Sequence, residues 1–289
     1  MKQSYKKYIL ALLLFGSNGI VASFISLNSR EIVFTRTLIG SVFLLAVLFF
    51  SGEKLQFWKN KRHFAFAILS GFALGAGWMF LYEAYTQIGV SIATLAYYLG
   101  PVLVIAASPV IFRESMSPAK IFGVAAAVIG MVLLNGGAML QSGFSRGALL
   151  GLLSALMYAL MVIFSKKATS IRGLENAACQ LCASFIIVAA FTLIKQGGRI
   201  SFPAQSLLPI LLLGIVNTGI GCYLYFSSFR KLRVQSVAVL GYLEPLSALF
   251  LSALVLRERL TGVQIFGAVL ILGGAVFCEC FRAKTRLKP

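Results

Sequence analysis

Aspartate is missing from this sequence: all eight acidic residues are glutamate. That excludes the phosphorylated Asp of ion-pumping ATPases, the Asp of hydrolase triads and the Asp-rich magnesium motifs of prenyl transferases. No Gly-x-x-x-x-Gly-Lys stretch occurs, which excludes a P-loop. Histidine occurs once, at His63 beside Lys61 and Arg62, where a solvated loop side chain is expected rather than a ligand or base. Charge is scarce too, at 12% of residues, against about 25% in a soluble domain. The five cysteines, Cys179, Cys182, Cys222, Cys278 and Cys280, all lie in apolar runs. Cys179-x-x-Cys182 has redox or zinc spacing but no second ligand pair, so small buried thiols are expected. No metal set, no cofactor and no enzyme is expected.

What the chain does have is apolar bulk. Hydrophobic residues make up 59% and the mean hydropathy is +0.91. There is too little polar surface to wrap a water-soluble globule of 289 residues. A bilayer core about 30 Å thick needs about 20 apolar residues per helix. The apolar runs predict an all-α integral membrane protein of ten helices, over 8–27, 32–50, 64–86, 92–112, 119–140, 147–165, 175–194, 207–228, 235–256 and 262–281. The first run lacks a clear small-x-small cleavage site and is expected to stay as helix 1.

The formal charge of +18 suggests nucleic acid until its distribution is read. The basic residues sit in short clusters between apolar runs, so no nucleic-acid partner is expected. With a cytoplasmic N-terminus, 19 Lys and Arg fall on the inner side, six on the outer, and Arg36 within helix 2. This asymmetry predicts a multi-pass protein of the cell membrane with both termini cytoplasmic.

The chain aligns with itself at an offset of 144 residues. Gly75 and Gly77 fall on Gly219 and Gly221. Tyr98-Leu99-Gly100-Pro101 falls on Tyr242-Leu243-Glu244-Pro245, and Arg113-Glu114 on Arg257-Glu258. Ile121-Phe122-Gly123 falls on Ile265-Phe266-Gly267, and Gly130 on Gly274. Without a gap, 14 of the 58 pairs from residue 75 to 132 are identical. The repeats are expected over 1–140 and 141–289, five helices each. Five is odd, so the second copy enters the membrane inverted, the architecture of many secondary transporters.

These elements together are Tyr-x-x-Pro in the fourth helix of each half, Arg-Glu at its end, a Gly-rich fifth helix and Arg36 in the second. They resemble the drug/metabolite transporter superfamily, specifically its ten-helix EamA-type members, over the whole chain. The resemblance implies a central cavity lined mainly by helices 1, 3, 4, 6, 8 and 9, and ATP-independent, mostly outward movement of amino acids and other small metabolites. One departure is Gln180, which stands where the repeat of Arg36 would fall.

An ionisable group inside a span is expensive and points to function. Glu83, in helix 3, can take up a proton or bind a cationic part of a substrate, or simply reach the outer interface. Glu244 precedes Pro245, where a freed backbone can face a cavity; it can bind substrate or proton, or pair with Arg36. Arg36 is expected as a structural partner, with a substrate carboxylate as the sharper alternative. Trp78, Tyr82, Tyr97, Tyr98, Tyr158, Tyr223 and Tyr242 are candidate cavity aromatics, suited to amphipathic solutes or a cationic amine. Asn18 and Asn217 either touch substrate or bond neighbouring helices. Pro101 and Pro245 read as hinges. Gly71-x-x-x-Gly75 and Gly147-x-x-x-Gly151 allow close helix approach within the protomer. Arg113-Glu114 and Arg257-Glu258 read as helix-end caps or weak gate pairs.

The sequence thus predicts a small-metabolite transporter working by alternating access, with protons as a possible coupling ion. A monomer suffices to form the cavity, and a dimer is compatible with it. The alternative is a flippase for a lipid or lipid-linked precursor, which needs a lateral opening and a headgroup pocket. Arg36 as the single membrane-embedded cation weighs against a polyanionic headgroup.

Overall fold

The computed structural model describes residues 2–52, 55–114, 116–135, 146–196, 204–228, 231–255 and 261–285. Arg257, Glu258 and the ends of the expected spans 119–140 and 235–256 lie outside them, as do Lys54, Arg199, Arg230, Arg259, Arg286 and Lys288 of the charge tally. The described residues form helices and turns with no strand. Six stretches are long and apolar enough to cross a membrane: Ser29–Phe50, Lys61–Ile88, Arg146–Lys167, Gly173–Ile194, Leu207–Ser228 and Val234–Val255. Shorter apolar helices cover Leu99–Phe112, Ile121–Leu133 and Ile265–Gly274.

The first expected span is broken. Helix α1 runs Lys2–Gly16 and α2 runs Asn18–Ser23, with Ser17 between them. Helix α3, Ser29–Phe50, starts on a reciprocal cap. Glu31 N–H donates to Asn28 Oδ1 (3.0 Å) and Asn28 N–H to Glu31 Oε2 (3.1 Å), satisfying two otherwise orphaned donors.

Helical backbone then continues through α4, Lys61–Tyr97, across the boundary expected between spans 64–86 and 92–112. Nine residues of straight helix rise about 13.5 Å and end on the opposite face. Yet Thr94 Oγ1 donates to Tyr85 Oη at 3.3 Å. Neighbours on α7, Arg146–Lys167, resolve the conflict. Ser70 bonds Met161, Gly77 faces Met157, and Ile88 faces Gly147, so this limb runs against α7. Ala93 and Ala96 face Gly151, and Gly100 faces Ala155 and Tyr158, so the next limb runs with it. The chain doubles back within α4.

Helix α5, Leu99–Phe112, follows a break at Tyr98. Helices α11, Val234–Gly241, and α12, Leu243–Val255, are divided at Tyr242. Proline explains both breaks. Its ring removes a donor and crowds the carbonyl four residues earlier. Those carbonyls belong to Tyr97 and Gly241, the last residues of α4 and α11. Pro101 and Pro245 then fall in the first turn of the next helix, where proline is tolerated.

Helix α6 is Pro118–Asn135, α8 is Gly173–Gln196 and α13 is Gly262–Thr285. The eighth span is composite: α9, Leu207–Leu211, a π-helix, Leu212–Ile220, and α10, Gly221–Ser228. Helices α6 and α13 pack face to face. A Cβ at Gly130 would strike Gly267 O and Ile271, and one at Gly274 would strike Gly123 O and Ala127 N. Residues 123 and 130 correspond to 267 and 274 at the offset of 144. The contact is self-complementary and antiparallel, as for two copies related by a two-fold axis across the helices. Tyr242 Oη also donates to its counterpart's carbonyl, Tyr98 O, at 3.1 Å.

A second contact ties the halves. Glu114, just past α5, accepts the backbone N–H of Val234 (3.0 Å) and Gln235 (3.2 Å) and so caps α11. Gln235 Nε2 donates to Ser108 Oγ at 2.8 Å. Glu114 is therefore a cap on a helix of the other half, beyond the helix-end role expected for it.

Candidate functional site

One cavity draws its lining from several helices. Phe15 and Asn18 line it from α1 and α2, and Leu74, Trp78 and Tyr97 from α4. Tyr158 and Met161 come from α7, Cys222, Tyr225 and Phe226 from α10, and Glu244 from α12. Both halves contribute. Among these lining residues Glu244 is the one carboxyl group, and none is Lys, Arg or His.

Two helix breaks deliver its polar groups. Asn217, buried on the π-helix, holds the first. Its Nδ2 lies 2.9 Å from Leu14 O, 2.8 Å from Ser17 Oγ and 3.0 Å from Asn18 Oδ1. Leu14 O, where α1 stops, also accepts from Ser17 N–H at 3.1 Å and Ser17 Oγ at 2.7 Å. With Asn18 Oδ1 occupied, the Asn18 amide N–H₂ is left as the donor of that side chain. Glu244 is in the first turn of α12, after the second break. The two breaks touch: a Cβ at Gly16 would overlap Ser247 Oγ and Glu244 O. Ser247 Oγ donates to Glu244 O at 2.8 Å. No hydrogen bond or ion pair to the Glu244 carboxylate occurs among the described residues.

Arg36 lies behind the wall. Its side chain is buried at 3% exposure, its guanidinium carbon is 4.8 Å from the Trp78 ring centroid, and Nε donates to Thr218 Oγ1 at 2.9 Å. Thr218 Oγ1 itself donates to Leu213 O, five residues back along the π-helix. Arg36 Nη2 is buried with no partner. The repeat counterpart Gln180 is fully buried and bonded on both sides. Its Nε2 donates to Asn176 Oδ1 (2.9 Å) and Ser165 Oγ (3.2 Å), and its Oε1 accepts from Ser70 Oγ.

Of the residues singled out from sequence, Asn18, Trp78, Tyr97, Tyr158 and Glu244 meet at this cavity. Asn217 stands one bond behind Asn18, and Arg36 one ring behind Trp78. Others lie elsewhere. Glu83 pairs with Arg30 at 3.4 Å, with both side chains partly exposed. Tyr82 packs on Tyr85, ring centroids 5.1 Å apart. Tyr223 takes Lys7 against its ring at 5.1 Å. Tyr98 and Tyr242 are buried together against Ala127, Met131 and Ile271. Pro101 and Pro245 sit at the breaks described above. His63 is partly buried, and its Nδ1 accepts the Ser170 N–H at 3.2 Å. Gly71 and Gly75 face α8, and Gly147 and Gly151 face α4, all within the protomer.

Sequence reading missed Phe15, Leu74, Met161, Cys222, Tyr225 and Phe226. Helical spacing carried the signal. Leu74 is four residues before Trp78 and Met161 three after Tyr158, so each shares a helix face with a residue already chosen.

Residues 7–136 and 145–278 each match the EamA-like transporter family, one match per half. The chain belongs to the EamA-like transporter family. Among relatives of this EamA-like chain, the "Uncharacterized transporter YxxF" of Bacillus subtilis is 28% identical over 93% of this chain and 86% of its own length. The "Probable amino-acid metabolite efflux pump" of Escherichia coli is 29% identical over 56% of this chain and 58% of its own. A solved crystal structure, 19% identical, superposes with a TM-score of 0.82 over 96% of this chain and 98% of that one, and so shares the fold. The family is one of multi-pass membrane transporters, and the apolar helices described above are suited to a bilayer.

Proposed function

We propose that this EamA-like protein is a ten-helix secondary transporter of the cell membrane, built from inverted repeats over 1–140 and 141–289, with both termini cytoplasmic. It exports small metabolites, amino acids or related amphipathic compounds, by alternating access. The carrying observation is the cavity: two helix breaks deliver one amide and one unpaired carboxylate into an aromatic box that both halves build. Broken helices around a central site are a transporter device. The antiparallel contact of the equivalent helices α6 and α13 supports the inversion, and the doubling back within α4 supports two spans there. The inner-side excess of Lys and Arg supports the orientation. A single chain furnishes every residue of the cavity. Glu244 is the carboxyl positioned to exchange a proton with the cavity and so to couple transport to a pH gradient.

The test is counterflow of labelled amino acids and small amines by purified protein in liposomes, with and without an imposed pH gradient. Saturable counterflow that falls in Glu244→Gln is expected. Scrambling of labelled lipid with no solute movement would replace the reading with a flippase.

A further inference from the structure

The cavity's charge is one-sided. Glu244 reaches it without a partner among the described residues, and no cation lines it. Arg36 is not among the lining residues. Its guanidinium stacks on the Trp78 ring, and its Nε is engaged by Thr218. A free amino acid entering here would satisfy Glu244 with its ammonium group. Its own carboxylate would meet aromatic faces and one amide, that of Asn18. Burying an anion without a cation to pair it is costly. An amine with no carboxylate, or with the carboxyl masked as an amide or ester, meets no such cost. Its ammonium group pairs with Glu244, the rings of Tyr97 and Tyr158 lie against its body and charge, and the Asn18 amide donates to a carbonyl or hydroxyl at its far end.

We propose that the site is selective for amphipathic organic monocations, and that it takes carboxyl-masked or carboxyl-free amines in preference to the parent zwitterionic amino acids. This rests on the transporter reading above and narrows its substrate class.

The experiment is a ligand series on the purified full chain in liposomes, reading equilibrium binding and counterflow. The probes are phenylalaninamide, tyramine, phenylalanine and N-acetylphenylalaninamide. Phenylalaninamide and tyramine should bind about tenfold or more tighter than phenylalanine. N-acetylphenylalaninamide, which keeps the ring and amide but has no ammonium group, should fall to the phenylalanine level or below. Glu244→Gln should erase the preference. The ligand series tests the proposal on wild-type protein even if that variant does not fold. Phenylalanine bound and moved as well as its amide would overturn the proposal and leave the transporter reading standing. Equal binding of the acetylated amide would overturn it too, since charge would then not matter. No binding or movement of any probe, with lipid scrambled instead, would sink both.

Discussion

Arg36 and Gln180 occupy the same register in the two repeats, yet their surroundings differ in kind. Gln180 is a neutral side chain bonded to Ser70, Ser165 and Asn176. Arg36 is a cation with one hydrogen bond, an aromatic face and a buried nitrogen left over. A buried polar network that is fully bonded tends to rigidify its region, and one only partly bonded is costly to keep. The comparison teaches that two copies of one helical plan can be divided between tasks. One half closes the position with a neutral network; the other keeps a cation against Trp78, a residue of the cavity wall.

The largest expected effect lies on the cavity side of this contrast. Glu244→Gln should lower amine counterflow about a hundredfold while leaving the detergent-solubilised Tm within a few degrees, since a removed charge pair of this type is worth several kcal/mol. Next comes the closed side. Gln180→Leu strands Ser165 and Asn176 and should cost about 2–4 kcal/mol, read as a lower Tm with little change in transport selectivity. A Tm unchanged in that variant would break the comparison. Asn217→Ala should cost about 1–3 kcal/mol, because Asn18 Oδ1 and Ser17 Oγ lose their donor; weaker binding of ligands carrying a carbonyl, with plain amines spared, would sharpen the role of Asn18. Arg36→Gln makes the first half like the second. It removes a buried charge without an ion-pair partner among the described residues, so stability should hold or rise by about 1 kcal/mol, and a clear loss of stability would mean that the stack on Trp78 matters more than the stranded nitrogen. The smallest effect is expected for Glu83→Gln, whose partly exposed pair with Arg30 is worth about 0–1 kcal/mol.

Much of this was legible beforehand, and for identifiable reasons. The Tyr-x-x-Pro pairs encode the two breaks because proline acts on the carbonyl four residues back, whatever the tertiary context. Glycines 123, 130, 267 and 274 stood out in the sequence as repeat matches, and the close contact they make appears only in the fold. Glu244 was legible as a cavity-lining residue because it adjoins such a break. Glu83 looked equally promising, but an arginine far along the chain, Arg30, occupies it, and sequence spacing does not show which helix ends meet. Asn217 meets the break at Ser17, and Thr218 of the π-helix meets Arg36. These are contacts across about 200 residues in the first case and 182 in the second, invisible to any local pattern. The same holds for Glu114, whose capping of α11 appears only when the halves are brought together.

That cap gives α11 the character of a lever. The helix is eight residues long, Val234–Gly241, hence a rod of about 12 Å. Glu114 of the first half pins one end. At the other end is the break at Tyr242, with Glu244 two residues beyond. In the proposed transport, the path along the chain from the carboxyl that would meet a ligand to the two hydrogen bonds at Glu114 is α11 and the break after it. The cavity carboxyl and the grip between the halves are thus joined by one short piece of chain.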